Sequence, residues 1–303
     1  MRAPRAAIML AALLAAGTGE ATVDIQALWD FGDAARSEER FRAALASAVG
    51  DDALSLQTQI ARTYGLRSRF ADAHALLDRI APELERAGPE PKVRALLERG
   101  RAFRSAGQAE RAGPLFRQAV DAAVAARLET LAVDAMHMAA LVEPGLDGQL
   151  AWNRRALAYA QRAEDPAARR WDATLANNIG VALHEAGRHA EALESFRTAL
   201  AARERLGQPG GIRVAHWMIA WTLRALKRHD EALTILMRLD REFAALGAPD
   251  GFVFEEIGEN LLAQGDAAGA KPWFAKAHAV LSQDESLDRP DAARLARLLA
   301  LSR

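Results

Sequence analysis

The sequence predicts an all-α fold in which helix–turn–helix units stack one after another as an α-solenoid. Half of the 303 residues are hydrophobic and only 6% are aromatic, while alanine is abundant and β-branched runs are scarce, which is typical of helical proteins. The stretch from Asn177 to Leu200 has the pattern of two short amphipathic helices joined at Gly187. The same pattern recurs at nearly constant spacing, which favours one continuous array over two separate domains.

The repeating unit is a helical hairpin with small residues where its two helices meet. In the reference copy, Gly180 and Ala192 let the backbones approach closely, and Leu183 and Phe196 fill the space beside them. The small first-helix residue recurs at spacings of 39, 40, 40, 40 and 38 residues. Its positions are Ala61, Gly100, Ala140, Gly180, Ala220 and Gly258. Residues 51–284 are therefore predicted to form about six hairpins.

The third unit matches this pattern least well. Pro144 and the glycines beside it should end the first helix early. Trp152 occupies a position that is small in the other units. Either the register of the second helix slips there, or the hairpin opens around the indole.

The order of small and large residues in these units resembles the tetratricopeptide repeat (TPR), over about three quarters of the chain. The resemblance implies a right-handed α-solenoid with a concave groove lined by the first helix of each unit. Ordinary TPRs are about 34 residues long, so the units here are longer. In this respect they look like the repeats of bacterial regulators that close around a short signalling peptide.

Residues 1–21 differ from the rest of the chain. Arg2 and Arg5 precede the apolar run 6–16, and small residues follow it, which is the layout of a secretory signal peptide. The run is too short to span a membrane. We therefore expect an exported or periplasmic protein. The alternative is a start codon assigned too early, in which case the protein is cytoplasmic.

Both ends of the array are expected to carry helical caps, because a terminal repeat would otherwise expose an apolar face. Residues 22–50 are predicted to be the N-terminal cap, in which a short apolar lead-in, Leu28, Trp29 and Phe31, precedes Phe41, Ala44 and Leu45 at second-helix spacing. Residues 285–303 are predicted to be the C-terminal capping helix.

The composition and motifs argue against catalysis. The net charge of −1 gives no general attraction to nucleic acid, and the absence of cysteine excludes thiolate chemistry and cysteine-based metal sites. His184 and His189 are five residues apart, whereas a helical zinc pair needs a spacing of four. The sequence thus predicts a non-enzymatic protein without cofactor or metal.

By the resemblance, the groove-facing residues lie three before, one after and four after the small first-helix residue. The resulting candidates for partner binding are Arg62, Arg101, Arg104, His137, Asn177, His184, Trp217, Trp221, Arg224, Glu255 and Glu259. The three N-terminal arginines either hold a carboxylate or are simply solvated. The two tryptophans either anchor a partner or pack between repeats.

These observations predict a scaffold or adaptor that binds a protein or peptide in its groove. The alternative is a regulatory protein that senses a peptide or small ligand but has no output domain of its own.

Overall fold

The computed structural model describes residues 23–283 and 292–303. All regular secondary structure within these two ranges is helical. The predicted signal peptide, residues 1–21, lies outside them, as does the beginning of the predicted C-terminal cap.

The helices are given in chain order. The first eight are α1 (Ile25–Leu28), α2 (Ala34–Leu45), α3 (Gly50–Leu66), α4 (Phe70–Leu84), α5 (Pro89–Ser105), α6 (Ala109–Ala125), α7 (Glu129–Ala140) and α8 (Leu146–Arg162). The following eight are α9 (Pro166–Arg169), α10 (Asp172–Glu185), α11 (His189–Arg205), α12 (Pro209–Ala225), α13 (His229–Ala245), α14 (Gly251–Ala263), α15 (Ala267–Leu281) and α16 (Ala292–Leu301).

Within the described ranges, pairs of consecutive helices pack together as hairpins. The pairs are α3–α4, α5–α6, α7–α8, α10–α11, α12–α13 and α14–α15. We call the first helix of each pair its A helix and the second its B helix. Each B helix also packs against the A helix of the next hairpin. The buried apolar residues form four clusters that follow one another along the chain, so the predicted all-α solenoid is confirmed.

Three hairpins share a close contact between a glycine of the A helix and a phenylalanine of the B helix. The pairs are Gly100–Phe116, Gly180–Phe196 and Gly258–Phe274. A Cβ atom added to any of these glycines would lie 2.5 to 2.8 Å from the nearest ring carbon, and the three rings are at most 1% exposed. Glycine is therefore required for these helices to approach so closely.

Most hairpins turn through a residue with left-handed backbone conformation. Gly187 has φ of 75°, its N–H donates to the carbonyl of His184, and the N–H of Arg188 donates to that of Leu183. This is the Schellman arrangement, which satisfies carbonyls at a helix end. Ser68 and Lys227 occupy the equivalent position with φ of 59° and 60°, although a side chain there costs about 1 kcal/mol.

The third hairpin stays closed although its helices are interrupted by a longer turn. α7 ends at Ala140, as Pro144 predicts, and α8 starts at Leu146. α8 buries Asn153 and Ala156, whereas Trp152 is only half-buried. Because α7 and α8 still pack together and Ala156 is buried at the position equivalent to Phe196, the hairpin does not open around the indole.

The ends of the array are covered by short helices. Phe41 of α2 is fully buried and meets Trp29 edge-on, with ring centroids 5.0 Å apart. At the other end, Leu298 of α16 is buried in a cluster with Phe254 and Phe274. Both contacts remove apolar surface of a terminal hairpin from water.

We predict that Gly180→Ala lowers the free energy of unfolding by about 1 to 2 kcal/mol, measured by urea denaturation. The gain in helix propensity is about 1 kcal/mol, but overpacking against buried Phe196 costs up to about 3 kcal/mol. Gly210→Ala is the matched control, because nothing lies within 4 Å of its added Cβ. It should be neutral or stabilising by up to about 1 kcal/mol. Equal effects of the two substitutions would contradict the packing argument.

Candidate functional site

The candidate residues all lie on A helices, and the structure divides them by what they contact. Some join one A helix to the next, some pair with α16, and two arginines make no ion pair among the described residues.

Arg101 forms a buried ion network between α5 and α7. Its guanidinium donates to Glu98 Oε1 at 2.6 Å and to both carboxylate oxygens of Asp134 at 2.5 and 2.6 Å. Burial alone would lower the pKa of Arg101, but the charges of Asp134 and Glu98 outweigh burial and raise it. Burial would likewise raise the pKa of Asp134, yet Arg101 holds it below its usual value. Arg101 is thus engaged within the protein.

His137 lies between α7 and α10. Its Nδ1 is 3.4 Å from Asn178 Nδ2, and its ring centroid is 5.6 Å from that of Trp171. Burial lowers the pKa of His137, so the neutral imidazole is favoured. The side-chain oxygen of Asn177, the residue before Asn178, is buried without a hydrogen-bond partner in the described part of the chain.

Three aromatic rings stack across α10 and α12. The rings of His184 and Trp221 are 3.3 Å apart between centroids and nearly parallel, and Trp217 stacks on Trp221 at 5.9 Å. The indole N–H of Trp217 donates to the carbonyl of Phe252 in α14 at 3.3 Å. Both tryptophans are half-buried. They therefore pack between repeats and still keep part of their surface exposed.

His184 is held in its neutral form by this stack. Its Nδ1 lies 3.1 Å from the hydroxyl oxygen of Thr222. Burial lowers the pKa of His184 to about 4, with smaller contributions from the nearby charges of His189 and Arg224. A neutral imidazole between aromatic rings stabilises the junction of two repeats without carrying a charge.

Arg224, Glu255 and Glu259 are also engaged within the chain. Arg224 pairs with buried Glu256 of α14. Glu255 lies 3.3 Å from Arg294 of α16, and Glu259 pairs with Arg297 of the same helix. The acidic end of the predicted groove is therefore neutralised by the C-terminal helix.

Arg62 and Arg104 differ from the other candidates. Arg104 is exposed and Arg62 is half-buried, and no residue in the described ranges forms a hydrogen bond or ion pair with either guanidinium. The guanidinium carbon of Arg62 lies 5.0 Å from the centroid of the Trp29 ring. Arg62 also lines a cavity beside the first three hairpins.

A cavity of about 830 Å³ lies beside the A helices of the first three hairpins. It is lined from α3, α5 and α7, from the segment around α1, and from α9 with the residues after it. We call it the N-terminal cavity. Its wall combines aromatic side chains with charges of both signs, including Trp29, Phe31, Arg62, Asp134 and Trp171.

Most of these wall residues were not candidates from the sequence. Trp29 and Phe31 lie before the first hairpin, and Trp171 lies in the linker between α9 and α10. The apolar lead-in at residues 28–31 was the available signal for the first two. No repeat position corresponds to Trp171, so the repeat pattern could not have identified it.

A smaller apolar pocket of about 290 Å³ lies beside Trp217, with Phe243 and Phe252 in its wall. In the described ranges, no helix is long and apolar enough to cross a membrane. Nor does that part of the chain contain a group of His, Asp and Glu side chains arranged to hold a metal ion.

We predict that Arg101→Ala lowers the free energy of unfolding by about 3 kcal/mol, because it leaves Glu98 and Asp134 without their buried partner. Arg104→Ala, three residues away on the exposed side of α5, is the matched control and should change stability by less than about 0.5 kcal/mol. Urea denaturation at pH 7 measures both. Similar values for the two variants would show that the network contributes little.

We predict that His184→Gln removes part of the acid sensitivity of the fold. The unfolded histidine titrates near 6.5 and the folded one near 4, so the unfolded state binds a proton first as the pH falls. Wild-type stability should therefore drop by about 2 kcal/mol more than that of the variant between pH 7.5 and pH 5. Denaturant titrations at both pH values measure this difference. Parallel losses would refute the assignment.

Comparison with known proteins gives one matching family model and several solved structures with the same fold. Residues 171–239 match the family model described as a tetratricopeptide repeat. No curated protein is detectably similar in sequence. The structure resembles the apo form of RapI at 15% identity, covering 88% of this chain and 75% of RapI, with a TM-score of 0.72.

Two further solved structures share the fold. One is a signal transduction ATPase with numerous domains from Pyrococcus horikoshii that has a tetratricopeptide repeat sensor; the match is 12% identical, covers 88% of this chain and 44% of that one, and has a TM-score of 0.67. This chain thus spans less than half of that protein. The other is a Rap protein complexed with competence and sporulation factor, at 16% identity, 88% and 79% coverage and a TM-score of 0.51.

At these identities the structural likeness concerns the fold. The family match lies in the fourth and fifth hairpins, where the Gly180–Phe196 contact and the turn at Gly187 are found. Residues 171–239 are thus a tetratricopeptide repeat segment, and the stacked hairpins on either side share its helix–turn–helix architecture.

Proposed function

We propose that this protein is a non-enzymatic scaffold or adaptor that binds a peptide segment of a partner in the N-terminal cavity. The observation that supports this most directly is the cavity itself, with its volume of about 830 Å³. Sites for small ligands are commonly about 300 to 1,000 Å³, so it is large enough for several side chains of an extended peptide.

The wall of the cavity has the composition of a recognition site. The exposed ring of Phe31 stacks on Trp29 with centroids 5.5 Å apart, and Trp171 adds a third aromatic side chain to the wall. Aromatic and arginine side chains are enriched among residues that contribute most to binding. The helices are already formed, so binding would order little of the scaffold.

Two of the similar structures add support at the level of fold. The Rap protein was solved in complex with competence and sporulation factor, and the Pyrococcus horikoshii protein has a TPR sensor. Such folds therefore accommodate partners and sensing roles.

A ligand-sensing role is the second candidate, and one observation favours it. The cavity is lined both by α1 and by α9. A ligand that contacted both helices would link two segments that are far apart in the sequence. Small-angle X-ray scattering with and without bound peptide separates the two roles. A sensor should become more compact, whereas a rigid scaffold should keep its radius of gyration.

We predict that full-length protein selects binders from a displayed library of random peptides, with dissociation constants of about 10 µM or tighter. Phe31→Ser should weaken binding by roughly fivefold or more, because it removes an exposed aromatic contact. Leu246→Ser is the matched control, since Leu246 is 58% exposed but lies outside the cavity. It should leave affinity unchanged, as measured by fluorescence anisotropy.

Two different results would contradict this prediction. If no peptide is enriched over a blank support, the protein does not bind peptides in this way. If peptides bind but Phe31→Ser and Leu246→Ser behave alike, the site lies elsewhere on the molecule.

A further inference from the structure

The acidic residues of the N-terminal cavity already have partners within the chain. They are Asp24, Glu90, Glu129, Asp134 and Asp165. Asp24 accepts from backbone N–H groups at the start of α1, and Glu90 accepts from Arg94. Glu129 accepts from the backbone N–H of Asp165, and Asp165 accepts from the hydroxyl of Thr130. Asp134 accepts from Arg101. Each of these carboxylates therefore already has at least one hydrogen-bond donor within the chain.

Arg62 is in the opposite situation. It lines the same cavity, yet its guanidinium has no hydrogen-bond or ion-pair partner among the described residues. The neighbouring arginine Arg94 donates to Glu90 at 2.8 Å, and Arg101 is bound by Glu98 and Asp134. Arg62 thus has hydrogen-bonding capacity that the chain leaves unused.

The repeat pattern explains this difference. Arg62 and Arg101 both follow the small A-helix residue directly, so they occupy equivalent positions. Arg101 has Glu98 three residues before it, where Arg62 has the neutral Gln59. The residue equivalent to Asp134 on the next A helix is Arg94. Both carboxylates that hold Arg101 are therefore replaced around Arg62.

The electrostatic consequence differs between the two arginines. Burial lowers the pKa of Arg62, and the positive charges of Arg101 and Arg94 lower it further. Glu98 and Asp134 raise the pKa of Arg62, but not enough to offset burial and the two positive charges. At Arg101 the same two carboxylates outweigh burial and raise the pKa. The charge of Arg62 is thus poorly stabilised in the free protein, and an added anion would stabilise it.

The guanidinium is also held in place. The indole N–H of Trp29 donates to Gln59 Oε1 at 3.3 Å, and Gln59 Nε2 donates to the hydroxyl of Thr58 at 3.1 Å. Arg62 lies over the fixed Trp29 ring. A planar guanidinium positioned on an aromatic face can accept a carboxylate with two parallel hydrogen bonds at little entropic cost.

We propose that Arg62 is the anchor for a carboxylate of the bound peptide, so that the cavity selects acidic peptides. This rests on the proposed function. The carboxylate can come from an Asp or Glu side chain or from the chain terminus, and the peptide passes the aromatic residues Trp29 and Phe31 beside the anchor.

The experiment compares two displayed peptide libraries that differ only in having Asp and Glu, or Asn and Gln, at the acidic positions. Each enriched peptide is synthesised with a free C-terminal carboxylate, as its C-terminal amide, and with each acidic residue changed to its amide. Affinities for full-length wild type, Arg62→Met, Arg62→Lys and the remote control Arg86→Met are measured by fluorescence anisotropy. Arg62→Met keeps much of the side-chain volume over Trp29 but removes the charge.

We expect enrichment from the acidic library and a loss of roughly tenfold to a hundredfold in affinity for Arg62→Met. Changing the one anchored carboxylate should cause a similar loss in wild type and little further loss in Arg62→Met, because both changes break the same contact. If the C-terminal amide peptide shows this coupling, the anchored carboxylate is the chain terminus; if a side-chain amide peptide shows it, the anchored carboxylate is that side chain. Arg62→Lys should retain part of the affinity, and Arg86→Met all of it.

Arg62→Met is expected to fold, because it removes a poorly compensated charge; circular dichroism and thermal unfolding check this. Peptides that lose affinity with Phe31→Ser but not with Arg62→Met would overturn the anchor and leave the proposed function standing. Additive effects of Arg62→Met and carboxylate removal would also overturn it. If neither library yields a binder, the proposed function fails and the anchor with it.

Discussion

The contact between the small A-helix residue and the B-helix side chain opposite it sets the geometry on which each repeat depends. Glycine is paired with phenylalanine in three hairpins. Where the A-helix residue is alanine, the residue sixteen positions later is smaller: Leu77 after Ala61, Leu236 after Ala220 and Ala156 after Ala140. All of these B-helix residues are buried. The combined volume stays within a narrow range in most units, as close packing requires.

Polar contacts between successive A helices add to this apolar packing. Arg101 binds Asp134, His184 contacts Thr222, and Arg224 binds Glu256, each across a junction of repeats. The face formed by the A helices, which the sequence predicts to bind partners, thus also carries contacts that hold the repeats together. Residues used in these junctions are not available to a ligand unless the junction itself opens.

This explains how far the sequence could predict the structure. Helix pairing and the turn at Gly187 depend on residues within one hairpin, and these were predicted correctly. The state of each groove-facing charge depends on another helix: Arg101 pairs with a residue 33 positions away, and Glu259 with one 38 positions away. Repeat position alone does not determine which charges are paired, so the ion pairs of Glu259 and Arg224 could not be predicted from it.

The comparison of repeats also shows where specificity can arise in such a chain. Identical hairpins would present identical surfaces, so a distinctive site needs a departure from the pattern. The N-terminal cavity is bounded by two such departures, the segment around α1 and the break between α9 and α10 at Arg170 and Trp171. A third is the replacement of two carboxylates by Gln59 and Arg94 around Arg62. Regular repeats supply the rigid frame, and the irregular residues decide what the frame can bind.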